Sequence, residues 1–155
     1  MTALDIRLEI AQQIESIPDS EQMLLKVLRY LRGLTKTNVS KTLVGDALRL
    51  WNRTEELKAL PKAWDGADGI PMEKKAVNNV QKLLMSGLSA DFKDWVLFPD
   101  EAGTLLLQSR DGRASISIGN NSYSYVYEKN GKIEQGNKVR FSPSSVLDVI
   151  REIAA

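Results

Sequence analysis

The residues best placed to do chemistry are two aspartates in a short loop, residues 64–69, which begins with Trp64 and contains Asp65 and Asp68. Two carboxylates close to glycines can hold a hard cation. Their spacing does not follow the EF-hand rule, which needs oxygen ligands at loop positions one, three and five and a distant glutamate. Asp-Gly is also ordinary turn chemistry. We therefore expect a structural turn here, with a small-ligand or catalytic site at Trp64, Asp65 and Asp68 as the alternative.

The chain of 155 residues contains no histidine and no cysteine. Histidine is the usual general base near neutral pH, and the cysteine thiolate is a common nucleophile. The same residues are leading ligands of zinc, copper, haem and iron–sulfur centres. The sequence also lacks the Ser-x-x-Lys, Gly-x-Ser-x-Gly, Walker and Gly-x-Gly-x-x-Gly motifs. We therefore expect no enzymatic activity, no metal and no cofactor.

Three tyrosines, Tyr123, Tyr125 and Tyr127, alternate along one predicted strand and therefore share one of its faces. If that face is exposed, it is an aromatic strip suited to a protein, peptide or sugar ligand. If helices cover it, the rings are core and their hydroxyls reach the rim. Because helices commonly bury one face of such a sheet, we favour the core and keep the exposed strip as the alternative.

The N-terminal residues 1–34 have the pattern of a helical hairpin. Isoleucines recur at helical spacing from Ile6 to Ile17, and Pro18 then interrupts the first helix. The apolar face of the second helix is formed by Leu24, Val27, Leu28 and Leu31. A unit this small cannot bury so wide an apolar face alone. It must pack on the rest of the chain or on another protein.

Residues 35–42 are short and polar, which predicts a linker to an α+β domain at 43–155. Helical spacing predicts helices at about 43–60, from Pro71 to about 86, and after Ser142. Period-two alternation predicts strands at 95–98, 104–109, 113–118, 122–129 and 138–141, with a short piece near 132–134. Asp111-Gly112 and Asn130-Gly131 are typical of tight hairpins. The expected fold is α+β, with N-terminal helices packed on one face of a curved antiparallel β-meander and a C-terminal helix.

The formal net charge is +1, and both signs are spread along the chain. The sequence has no basic stripe of the kind that binds phosphate backbones, which argues against nucleic acid as a partner. No apolar run is long enough to span a bilayer, and the N-terminus lacks a signal-peptide pattern. We therefore expect a cytoplasmic protein without membrane contacts. Its expected partner is an unknown protein, or a second copy, bound through the N-terminal hairpin.

Residues 57–84, with the Trp64-Asp65-Gly66 turn at their centre, resemble a widespread group of small, mostly uncharacterised bacterial proteins. The resemblance covers about residues 48–130 and implies a leucine-rich helix, the turn, an amphipathic helix and an antiparallel sheet. This chain has Asp68-Gly69-Ile70 where that group usually has a small residue and a second proline. The hairpin resembles the opening of some antitoxin-type proteins. The resemblance implies a toxin–antitoxin or phage-related context and assigns no catalytic residue.

Overall fold

A computed structural model of the chain describes residues 2–15, 25–27, 29 and 43–155. The chain divides into two compact units, residues 1–42 and residues 43–155. The predicted linker and the predicted interaction residues Leu24, Leu28 and Leu31 lie outside the described residues. In the first unit, helix α1 spans Ala3–Glu15, and residues 25–27 and 29 are also helical.

Thr2 and Asp5 cap the N-terminus of α1. The Thr2 hydroxyl accepts a hydrogen bond from the Asp5 N–H at 3.2 Å, and the Asp5 carboxylate accepts one from the Thr2 N–H at 2.8 Å. This reciprocal pair is a capping box, which satisfies N–H groups that have no partner inside the helix. The hydrogen bonds from Thr2 lower the pKa of Asp5. The start of α1 is therefore encoded within its first turn.

Residues 43–155 form three α-helices, a short 3₁₀ helix and a five-stranded sheet. The helices are α2 (Gly45–Lys58), α3 (Lys74–Ser86) and α4 (Pro143–Ala154), and the 3₁₀ helix spans Ser89–Phe92. The strands are β1 (Trp95–Pro99), β2 (Leu105–Ser109), β3 (Ala114–Ile118), β4 (Ser122–Lys129) and β5 (Lys132–Arg140). Their order is β1-β2-β3-β4-β5, and each neighbouring pair is antiparallel. The predicted α+β class, the antiparallel meander and the C-terminal helix are confirmed.

The core of this unit lies between the helices and one face of the sheet. Alternate residues of β1, β2 and β3 are buried there, among them Leu97, Leu107 and Ile116. Val80 and Leu83 of α3 belong to the same buried cluster. Burial of each such side chain stabilises the fold by about 1.5–3 kcal/mol. The residues between them are half-buried or exposed, so the side chains on the other face of the sheet are at least partly accessible to solvent.

The N-terminus of α2 is capped by a residue distant in sequence. Its N-cap residue, Val44, has no side chain that accepts a hydrogen bond. The Ser89 hydroxyl instead accepts a bond from the Asp46 N–H at 2.8 Å and donates one to the Val44 carbonyl at 2.9 Å. Because Ser89 begins the 3₁₀ helix, the same contact fixes α2 against the segment that follows α3. No described helix is both long and apolar enough to cross a membrane.

One predicted helix start is wrong. The helix expected from Pro71 begins instead at Lys74. The residues before it bond to the β1–β2 turn, where the Ile70 N–H donates to the Glu101 carbonyl at 3.1 Å. The Glu73 N–H donates to the Gly103 carbonyl at 2.9 Å. These tertiary bonds hold the segment extended and delay the helix.

The last strand also differs from its prediction. The two pieces expected near 132–134 and 138–141 form one strand, β5, over Lys132–Arg140. Its pairing with β4 shifts register between Tyr123 and Tyr125, which marks a β-bulge. Gly136-Asn137 resembles a strand break in sequence, whereas the bulge lets pairing continue through it.

Candidate functional site

The carboxylate of Asp65 organises its own loop. Its Oδ1 accepts hydrogen bonds from the N–H groups of Ala67 at 3.0 Å and Gly69 at 2.9 Å. These two bonds lower the pKa of Asp65 and keep the carboxylate ionised. A Cβ atom at Gly69 would lie 2.7 Å from the same Oδ1, so the loop closes tightly around this glycine. This is the geometry of an aspartate-stabilised turn.

Trp64 fixes the other end of the loop. Its indole Nε1 donates to the Ile70 carbonyl at 2.9 Å, and its half-buried ring packs against the core cluster. The Ala63 N–H donates to the Gly69 carbonyl at 2.7 Å, which closes the loop at its base. Asp68 is exposed and accepts no hydrogen bond from the described residues. The two aspartates therefore have different environments, and the observed contacts are those of a structural loop.

We expect Asp65→Ala to lower the melting temperature by about 3–6 °C, because two N–H groups lose their acceptor. Asp68→Ala is the matched control and should leave the melting temperature within about 1 °C. Since the pKa of Asp65 is lowered in the folded protein, its stabilisation is present above the ordinary aspartate pKa. It is lost as pH falls through the lowered value. Equal melting temperatures for both variants at neutral pH would contradict the structural role.

The three tyrosines face the helices. Tyr123 and Tyr127 are 3% and 8% exposed, and Tyr125 is half-buried between them. Their rings stack in sequence, with centroids 6.0 Å and 6.1 Å apart. The Tyr123 hydroxyl bonds to the hydroxyl of Ser145 in α4, and burial is the main cause that raises the pKa of Tyr127. Of the two alternatives from sequence, the exposed strip does not match the burial of Tyr123 and Tyr127, which lie in the core.

Charged side chains gather at the end of the sheet where the hairpin turns meet the end of α4. The carboxylate of Asp111 accepts bonds from the Ser109 hydroxyl at 2.6 Å and the Arg113 N–H at 3.0 Å. These hydrogen bonds lower the pKa of Asp111, and the bond from the Ser109 hydroxyl contributes most. Lys129 Nζ donates to the Glu152 carbonyl at 2.7 Å. These groups therefore hold a turn and a helix end in place.

Among the described helices, α1 has the most exposed aliphatic side chains. Four residues of α1 point large apolar side chains into solvent: Leu4, Ile6, Leu8 and Ile10. Of the interaction residues predicted in the hairpin, only Val27 is described, and it is half-buried. Sequence reasoning named the isoleucine line but missed Leu4 and Leu8. Their spacing of four residues, on a helix opened by the Thr2 capping box, is the signal that identifies them.

Within residues 2–15, 25–27, 29 and 43–155, no group of three or more acidic side chains is placed to hold a metal ion. Comparison of the chain with protein-family models, with curated proteins and with solved structures finds no match.

Proposed function

We propose that the protein is a non-enzymatic protein–protein interaction protein that binds its partner through the N-terminal helical segment. The observation that supports this proposal is the exposure of the aliphatic residues of α1. Leu4 and Leu8 are 65% and 55% exposed, and Ile6 and Ile10 are 45% and 49% exposed. The two pairs lie on opposite sides of the helix, because residues two apart are about 200° around it, and each pair is a line of two adjacent apolar side chains. Adjacent exposed apolar side chains mark interaction sites more often than isolated ones do.

The energetics of α1 favour a partner. The helix has 13 residues, and an isolated helix of that length is marginal in water. Most helical stability in proteins comes from packing of an apolar face, and each aliphatic side chain buried contributes about 1.5–3 kcal/mol. A surface that covered one of the two aliphatic pairs would therefore stabilise both the complex and the helix.

The arrangement of α1 indicates the chemistry of the partner. Leu4 and Leu8 form one line along the helix, and Ile6 and Ile10 form a second line on the opposite side. Each line fits an apolar groove or the apolar face of another helix, and the more exposed line, Leu4 and Leu8, is the proposed contact. Asp5 and Glu9 follow at the same spacing on another side, so the partner surface should be apolar with a basic rim. The partner is a second copy or another protein, and the antitoxin-like resemblance favours a bacterial toxin.

The alternative function, ligand binding or catalysis at residues 64–69, has weaker support. The carboxylate of Asp65 is already bonded to two N–H groups of its own loop. Asp68 is exposed and does not join it in a shared site. The contacts of the loop are accounted for by its structural role.

The test compares two variants of α1. Leu4→Glu with Leu8→Glu places two negative charges in the proposed contact, whereas Gln12→Glu places one at an exposed polar position of the same helix. Glutamate is a good helix former, so both variants should keep α1 helical. We expect the double variant to raise the dissociation constant at least about a hundredfold, because charge would be buried against apolar surface. Gln12→Glu should bind like the unmodified protein.

Two measurements give the readout. Light scattering of the purified chain over a range of concentrations detects self-association. Capture of tagged protein from its native lysate, followed by mass spectrometry, identifies a different partner. A partner retained by the unmodified protein and by Gln12→Glu but lost from the double variant would support the proposal. If all three proteins behave alike in both measurements, α1 is not the binding surface.

A further inference from the structure

The two edge strands of the sheet differ. The first, β1, is guarded against pairing with another strand, because side chains bond to its outward carbonyls and a proline follows them. The N–H of Arg110 donates to the Asp94 carbonyl, so the alternate carbonyls of Trp95 and Leu97 point away from β2. Arg49 in α2 donates to the Trp95 carbonyl at 2.8 Å, and Arg53 donates to the Leu97 carbonyl at 3.3 Å. The next outward position is Pro99, which has no N–H. Side-chain caps and proline are known means of blocking an edge strand.

The second edge, β5, is longer and exposed. The Asn130-Gly131 turn has φ values of 53° and 73°, as a two-residue type I′ hairpin requires. In such a hairpin, Lys129 and Lys132 exchange backbone hydrogen bonds, so the N–H and C=O groups of Ile133 point away from β4. The same holds for Gln135, two residues later. Among the described residues, no side chain bonds to these outward groups.

The bulge limits how many residues of β5 could pair with another strand. Past Gly136 the strand changes register, and Lys138 adopts a left-handed conformation with φ of 50°. Its N–H donates to the Ser124 hydroxyl at 3.0 Å. A bulge twists an edge away from further pairing. The unguarded stretch is therefore residues 131–135, next to the hairpin turn.

We infer that two copies of the chain pair through this stretch, antiparallel and about a two-fold axis at Ile133, and so join their sheets. In that register Ile133, which is 72% exposed, lies opposite the same residue of the second copy. Lys132 of each copy lies opposite Glu134 of the other, which gives two pairs of opposite charge. The stretch is thus complementary to itself, as a two-fold interface requires. This inference does not depend on α1.

Neighbouring registers are excluded by charge. An axis at Glu134 places that carboxylate opposite itself, and an axis at Lys132 does the same with two ammonium groups. An axis at Gln135 brings Lys132 opposite Lys138. Like charges directly opposite on paired strands are destabilising. Only the register centred on Ile133 pairs every charge of the stretch with its opposite.

A charge exchange tests this register in the full-length chain. Lys132→Glu leaves two carboxylates on each edge, and Glu134→Lys leaves two ammonium groups. We expect each single variant to raise the dimer dissociation constant at least about tenfold in sedimentation velocity.

An equimolar mixture of the two variants should dimerise, since opposite charges then face each other. The chain with both substitutions should also dimerise. Both positions are exposed, so tryptophan fluorescence should confirm an unchanged fold.

Hydrogen exchange and the α1 variant complete the test. The amides of Ile133 and Gln135 should become protected as concentration rises in the unmodified chain, and the Leu4→Glu/Leu8→Glu variant should keep this protection. A monomer without concentration-dependent protection of these amides would overturn the inference. So would single variants that dimerise like the unmodified chain. Association that is lost only on changing α1 would support the proposed function and reject the edge dimer.

Discussion

Phe92→Ala is expected to lower the free energy of unfolding of residues 43–155 by about 3–5 kcal/mol. The Phe92 ring has no exposed surface and lies where three elements meet. A Cβ atom at Gly87, just after α3, would lie 2.6 Å from Phe92 Cζ and 2.9 Å from Leu147 Cδ2 of α4. The ring therefore fills the space between the 3₁₀ helix, the end of α3 and α4. Its removal leaves a cavity that these packed helices cannot easily close.

The measurement is denaturant unfolding followed by tryptophan fluorescence. All three tryptophans, Trp51, Trp64 and Trp95, lie in residues 43–155, so the signal reports this unit alone. Phe98→Ala is the matched control, because Phe98 lies in β1 with 40% of its surface exposed. We expect it to cost less than about 1 kcal/mol. Similar losses from both substitutions would show that the Phe92 ring does not fill a closed space.

Local sequence patterns were sufficient for most of the sheet. Alternating apolar residues identified β1 to β4 because one face is buried and the other is at least partly accessible to solvent. Asn130-Gly131 identified its hairpin because both turn residues need positive φ. The start of α4 was equally local, since Ser142 caps it and Pro143 follows. In each case the deciding interaction lies within a few residues.

The features that sequence did not reveal depend on distant contacts. The guanidinium groups of Arg49 and Arg53 bond to carbonyls more than 40 residues away, so nothing near them in sequence marks the guarded edge. Ser89 caps α2 across a similar separation. The same applies to the candidate sites. Two Asp-Gly dipeptides can form a cation site or a turn, and only the bonds from Ala67 and Gly69 to Asp65 favour the turn.

A second large effect is expected at Gly103, where substitution by alanine should cost about 2–4 kcal/mol. Gly103 has φ of 83°, which is unfavourable for any residue with a Cβ atom. The added Cβ would also lie 3.0 Å from Ile70 Cδ1 and 3.1 Å from the Pro71 carbonyl oxygen. The Gly103 carbonyl accepts the Glu73 N–H at 2.9 Å, so relief of the clash would strain the contact that holds this segment beside the β1–β2 turn.

Gly112→Ala separates the two causes of this loss. Gly112 has a similar φ of 75°, but an added Cβ would meet nothing within 4 Å. It should therefore cost only the conformational part, about 1–2 kcal/mol, in the same tryptophan-monitored unfolding. Adding Ile70→Ala to Gly103→Ala should recover part of the loss, because the nearest side-chain atoms are then removed. Equal losses at Gly103 and Gly112 would mean that the β1–β2 turn adjusts to the clash. The close contact between this turn and residues 70–71 would then not be a rigid part of the fold.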